Sequence, residues 1–289
     1  MKDLHDEITN KIIEKLETGT APWHKSWNGS ASFDMPMNAT TQHAYQGINT
    51  LFLWSSAEEN GFETQDWGSY LQWAEKKKQV KKGAKGSMIV FYKTLEREKD
   101  NKIEKIPLIR FSHVFNACQL QDYKPTDKAE RPLVDRLEHV DRYILNTGAN
   151  VYHDGGNRAY YSRASDDIHL PPREAFIDTE SLYSVTLHEL VHYTDAEKRL
   201  NRTKGKRFGD KEYAFEELVA ELGAAFECAG LEITNAPRDD HAAYLESWLK
   251  VLKEDKKAIF IAASEASKAV GYLDGLQPKP NFSFTRIGI

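Results

Sequence analysis

The sequence predicts an α+β protein of two domains. Three observations lead there. Apolar residues recur at helical spacing in several segments, and short β-rich runs interrupt them. A polar stretch with two prolines, Gln121 to Pro132, breaks the chain near its middle. The charge differs on either side of that break. Residues 1–120 carry 16 Lys and Arg against 15 Asp and Glu, and the rest carry 23 against 29. The expected division is a first domain over 1–122, a linker over 123–132 and a second domain over 133–289.

The first domain opens with a helix in which Leu4, Ile8, Ile12, Ile13 and Leu16 form one apolar face, ended by Gly19. Pro22 to Asn38 reads as a loop. Helices are expected over Asn49–Glu59, stopped by Gly61, and over about Thr64–Lys78. Ser87–Lys93 and Ile106–Asn116 read as strands, with the charged stretch Glu96–Lys105 as a turn or solvated loop. In the second domain a helix over Leu133–Thr147 precedes strands within Val151–Tyr161 and over Asp167–Leu170. Pro171 and Pro172 close the last strand, which suits an edge able to pair with an extended peptide. Helices around residues 179–192 and from about Asp210 follow, then a helical tail from about Asp239 to Leu273.

The chain of 289 residues is 40% hydrophobic, enough for a folded core. No apolar run is long enough to span a bilayer, and residues 1–7 lack the apolar core of a signal peptide. Cys118 and Cys228 stand far apart in no CxxC pair, which excludes a disulfide scaffold and points to a reduced cytoplasm. No membrane partner is expected.

His188-Glu189-Leu190-Val191-His192 names a chemistry. Two histidines four apart on a helix share a face and can bind one zinc ion, while the glutamate between them can take a proton from water. Asp178 or Thr179 suits the N-cap, and Leu182, Val185, Leu187, Leu190 and Val191 supply the apolar stripe. Catalytic zinc usually keeps three protein ligands. On the next helix Glu217 and Glu221 are again four apart in an apolar stretch, where a carboxylate is costly unless paired or bound to a cation. Either can be the third ligand, and Glu216 is expected to face solvent. Zn²⁺ is the expected cofactor, with another divalent transition metal as the alternative.

Five of the six tryptophans, Trp23, Trp27, Trp54, Trp67 and Trp73, lie in the first domain, and seven lysines with no acidic residue run from Lys76 to Lys93. Aromatic rings beside lysines suit single-stranded nucleic acid, because bases stack on the rings while ammonium groups follow the phosphates. Trp54 and Trp67, on helices, read as core. The interface candidates are Trp23, Trp27, Asn38, Tyr45, Asn49, Lys81, Lys82 and Lys85.

HExxH with a glutamate on a following helix resembles the gluzincin metallopeptidases. That resemblance makes Glu217 the ligand and Glu221 the support of a metal-bound histidine through its other ring nitrogen, although Glu stands where the family's ExxxD pattern has Asp, so the reverse assignment stays open. Over the whole chain, Ile8, Ile12-Ile13, Leu16-Glu17, Gly19, Ala21-Pro22-Trp23 and Trp27, then Asn38, Tyr45, Gly47-Ile48-Asn49, Trp67, Lys82-Gly83, Lys85-Gly86 and Phe115-Asn116, resemble the N-terminal domain of ArdC-type antirestriction proteins. His188 to His192, Arg199-Leu200-Asn201-Arg202, Glu216 to Glu221 and Trp248 to Phe260 resemble that family's zincin-like metallopeptidase domain. The resemblance implies a plasmid-type protein that binds single-stranded DNA, carries a zinc metallopeptidase site with Glu189 as catalytic base, and shields incoming DNA from restriction during conjugation. A protein or peptide would be its substrate. The alternative is a non-catalytic protection protein with a structural or vestigial metal.

Overall fold

The computed structural model describes residues 4–19, 21, 23, 34–99, 102–125, 133–202, 211–234 and 241–278. The first helix, α1 (Leu4–Glu17), buries the predicted face of Ile8, Ile12, Ile13 and Leu16. Helix α2 (Ile48–Asn60) stops at Gly61, whose φ of 64° is left-handed and whose N–H reaches the Ala57 and Glu58 carbonyls.

Strands β1 (Met37–Asn38), β2 (Asp66–Gly68), β3 (Ser87–Lys99) and β4 (Lys102–Asn116) form a sheet in the order β1-β2-β4-β3. The helix expected over Thr64–Lys78 is instead β2 followed by a short helix, α3 (Tyr70–Glu75). Trp67 and Gly68 pair with Asn116 and Phe115 of β4, and Ser69 with Gln72 forms a capping box that starts the helix only afterwards. Tertiary pairing overrides local helix propensity here. The charged stretch Glu96–Lys105 is also not a loop. Both strands continue through it, with Glu96 in register with Lys105 and Arg97 with Glu104.

In the second half, α4 (Leu133–Asn146) leads to β5 (Asn150–Tyr152), β6 (Tyr160–Ser162) and β7 (Asp167–His169), ordered β5-β7-β6. The expected edge strand is therefore the central one. Ile168 pairs in parallel with Val151 and antiparallel with Tyr161, so β7 has no free edge for a peptide. Helices α5 (Thr179–Thr194), α6 (Lys211–Leu231), α7 (His241–Glu254) and α8 (Ala258–Gly275) follow. The tail is two helices, because the Asp255 carboxylate and carbonyl accept the Lys257 and Ala258 N–H groups and turn the chain. No described helix is long and apolar enough to cross a membrane.

One apolar cluster crosses the division expected at 123–132, of which residues 126–132 lie outside the described ones. Ile8, Ile12, Leu16, Leu51 and Trp54 share one apolar cluster with Leu218, Leu222, Phe226, Trp248, Leu252 and Ile259. Thr9 donates to the Lys256 carbonyl at 2.6 Å and the Gly47 N–H donates to Ser267 Oγ at 2.8 Å. A second cluster lies beneath the small sheet, where Ile168, Leu170, Leu182, Leu187 and Leu190 meet.

Candidate metal centre

Helix α5 is held at its start by Asp178, which accepts the Ser181 N–H at 2.7 Å. Leu187, Leu190 and Val191 bury the helix face that packs inward, and this carries His188 and His192 against α6. The two helices approach closely because residue 223 is glycine. A Cβ there would lie 2.6 Å from Val191 Cγ2, inside any van der Waals distance.

Glu217 projects from α6 between the two imidazoles. Its Oε2 is 3.4 Å from His188 Nε2 and its Oε1 is 3.5 Å from His192 Nε2. One ligand atom from each of His188, His192 and Glu217 falls within 4.8 Å of the others. A tetrahedral site with metal–ligand bonds of about 2.0–2.1 Å has edges of about 3.3–3.4 Å, so each carboxylate oxygen stands near coordination spacing from one of the two rings. Both ring nitrogens of His188 are buried without a hydrogen bond among the described residues, an expensive state that a bound cation would relieve at Nε2. These donors fit a divalent transition metal.

The electrostatics agree. Burial works against a proton on His192, yet Glu217, Glu216 and Glu189 hold its pKa up at about 10. Burial alone would raise Glu217, but His192 and His188 hold its carboxyl well below the usual range. The pocket is negative enough to demand a positive charge, as a proton or as a metal.

The outward-facing histidine nitrogens meet carboxylates as well. Glu221 Oε2 is 3.5 Å from His188 Nδ1. Glu216 Oε1 is 3.4 Å from His192 Nδ1. Glu216 was expected in solvent and is buried instead, because Arg202 neutralises it through two hydrogen bonds, at 2.7 and 3.1 Å. The signal available in sequence was a second glutamate beside Glu217 in an otherwise apolar helix. Glu189 is 2% exposed and acts electrostatically on His192.

The nucleic-acid candidates are not gathered in this way. Trp23 cannot stack a base: it is fully buried, edge-on to Trp248 with ring centres 6.0 Å apart. Trp27 lies outside the described residues. Asn38 accepts the Thr40 and Thr41 N–H groups at 3.0 Å and donates to Tyr45 Oη at 3.2 Å, which closes a turn. Asn49 exchanges two hydrogen bonds with the backbone of Val90, as a strand would. These polar groups build the first half. Lys81, Lys82 and Lys85 are exposed, as are Lys76, Lys77 and Lys78, next to half-exposed Tyr70; none makes an ion pair among the described residues.

Two family models match the chain. Residues 2–133 match the N-terminal domain of anti-restriction factor ArdC, and residues 138–265 match a zincin-like metallopeptidase family. The metal-free crystal structure of the antirestriction ArdC protein from the R388 plasmid is 37% identical, covers 95% of this chain and 97% of its own, and superposes with a TM-score of 0.78. Its Mn(II)-bound structure gives 0.77 at the same identity, over 95% of this chain and 98% of its own. The uncharacterized protein y4eC of Sinorhizobium fredii is 34% identical over 95% of this chain and 92% of its own length. Two DNA primase TraC proteins of Escherichia coli are 32% and 33% identical over 96% of this chain, which spans only 20% and 28% of their length.

Proposed function

The chain belongs to the ArdC antirestriction family, and on that premise we propose that it binds single-stranded DNA entering a cell by conjugation, protects it from restriction, and carries a metal-dependent peptidase site. His188, His192 and Glu217 hold Zn²⁺ or another divalent ion, and Glu221 supports His188. The observation that carries the reading is the carboxylate of Glu217 at 3.4 and 3.5 Å from two imidazole Nε2 atoms. Bound there, the cation supplies a Lewis acid that polarises a peptide carbonyl and makes water more acidic. Glu189, buried beside His192, accepts the proton of the attacking water on its carboxylate and passes it to the leaving amine.

The lysine-rich face from Lys76 to Lys85, with Lys81, Lys82 and Lys85 at its centre, follows the phosphates of the strand. Its exposure and freedom from ion pairs among the described residues support this placement.

Glu189→Gln tests the catalytic reading. The variant should load metal as the wild type does, while cleavage of labelled casein and protection of transferred DNA from restriction fall by about 10²-fold or more. Cleavage at the wild-type rate would remove Glu189 from the mechanism. Protection that survives Glu189→Gln, with metal still bound, would favour a protein that shields DNA by occupying it.

A further inference from the structure

We propose that Arg202 is a positioning residue of the metal centre, acting through Glu216 on the ring of His192 and setting the spacing of the two ligand-bearing helices. The proposal rests on the metal reading above.

Arg202 lies after α5 in the segment that leads to α6, and it is 7% exposed. Its guanidinium spends donors on both helices. Toward α6, Nη2 donates to Glu216 Oε1 at 2.7 Å and Nε to Oε2 at 3.1 Å, a two-pronged pairing that only a planar fork can make. Toward α5, Nη2 donates to the Val191 carbonyl at 2.8 Å and Nη1 to Thr194 Oγ1 at 2.6 Å. Both acceptors lie in the last turn of α5, where the Thr194 hydroxyl also donates to the Val191 carbonyl at 2.6 Å. One side chain thus ties the end of the HExxH helix to the helix that carries Glu217.

Glu216 transmits this to the ring. Its Oε1, held by Arg202, faces His192 Nδ1 at 3.4 Å. A carboxylate in that place makes Nδ1 the protonated nitrogen and leaves the Nε2 lone pair directed at Glu217 and the metal position. The Arg202 charge lets Glu216 stay buried as a carboxylate next to Glu217. The adjacent glutamates therefore divide the work: Glu217 offers an oxygen to the metal and Glu216 steers the histidine. Arg202 belongs to the Arg199–Arg202 stretch, to which spacing alone assigned no role. Arg199 is used differently; it lies over the Tyr193 ring and pairs with Asp166.

The test uses the full chain, stripped of metal, as wild type, Arg202→Met, Arg202→Lys and Glu216→Gln. Zn²⁺ and Mn²⁺ affinities are measured by competition with a chromophoric chelator. Histidine ring tautomers are read from ¹⁵N NMR of the Zn²⁺-loaded protein, and melting is followed without metal. Wild type should bind both ions. Arg202→Met and Arg202→Lys should lose about 10–100-fold in affinity, and His192 should lose its single tautomer, while the helical circular dichroism is kept. Glu216→Gln, nearly equal in volume and still able to accept from Arg202, should also weaken binding, which keeps the test open if Arg202→Met fails to fold. Wild-type affinity and an unchanged His192 tautomer in folded variants would reduce Arg202 to a structural role and overturn the proposal. Failure of the wild type itself to bind either ion would overturn the metal reading instead, and this inference with it.

Discussion

Gly223→Ala is the sharpest way to ask whether the distance between α5 and α6 makes the metal centre. The added Cβ would sit 2.6 Å from Val191 Cγ2 and 3.0 Å from Cγ1. Carbon atoms pack best at about 3.5–4.0 Å, so the helices must part by roughly 1 Å. Val191 is fully buried, and a β-branched side chain in a helix has one strongly preferred χ1 rotamer, so its methyls do not turn away easily. It also precedes His192, so the displacement falls on a ligand. The separations of 3.4 and 3.5 Å between Glu217 and the two imidazoles, now at or just above the tetrahedral edge of about 3.3–3.4 Å, would then widen well beyond it. Two terms compete in stability. Alanine gains about 1 kcal/mol over glycine in a helix interior. Overpacking costs about 1–3 kcal/mol. With no relief at Val191 the second term wins, and the metal-free variant should melt a few degrees lower while Zn²⁺ binds at least about tenfold more weakly. Melting curves with and without metal, together with a chelator competition, read both effects. A variant that melts higher than wild type and binds Zn²⁺ equally well would show that the close approach is incidental.

Two further outcomes are expected. Burial and the nearby Asp274 carboxylate raise the Glu227 pKa well above its usual value of 4.5, although Tyr143 donates to it at 2.8 Å. The folded protein thus keeps a proton that the unfolded chain releases above about pH 4.5, so this residue's stabilisation is full at low pH and declines as pH rises. Glu227→Gln, which cannot ionise, should melt higher than wild type near pH 8 and converge with it near pH 4; a variant less stable at pH 8 would refute the buried neutral acid. Replacing Lys81, Lys82 and Lys85 with glutamine should flatten the log–log salt dependence of single-stranded oligonucleotide binding by about 0.7 per lost phosphate contact, and an unchanged slope would take these lysines out of the interface.

The parts legible in sequence were those whose signal lies within one element. Helix α1 shows its face as Leu4, Ile8, Ile12 and Leu16, and the spacing of His188 and His192 follows from the helix that their apolar neighbours dictate. The parts that were not legible depend on a partner elsewhere in the chain. Thr64–Lys78 resembles a helix until β4 supplies a strand to pair with Trp67. β7 resembles an edge until β5 and β6 flank it. Trp23 beside His24 and Lys25 suits a stacking platform, and only Trp248, far along the chain, turns it inward. Glu216 follows the same rule, since a carboxylate reads as solvent-facing until Arg202 is placed against it.

This dependence has a consequence for how the two halves work together. One side of α6 presents Glu216, Glu217 and Glu221 to the histidines, and the other presents Leu218, Leu222, Ala225 and Phe226 to the cluster that holds Ile12, Leu16, Trp23 and Trp54. Phe226 meets Trp54 with ring centres 5.7 Å apart. The helix that offers the third ligand is therefore packed between the metal centre and the first half of the chain. Close-packed interiors transmit displacement. The position of Glu217 relative to His188 and His192 is thus set from both sides, by Arg202 and Gly223 at the metal face and by α1, α2 and Trp23 behind it. The first half completes the wall against which the ligand helix rests, in addition to any strand that it holds.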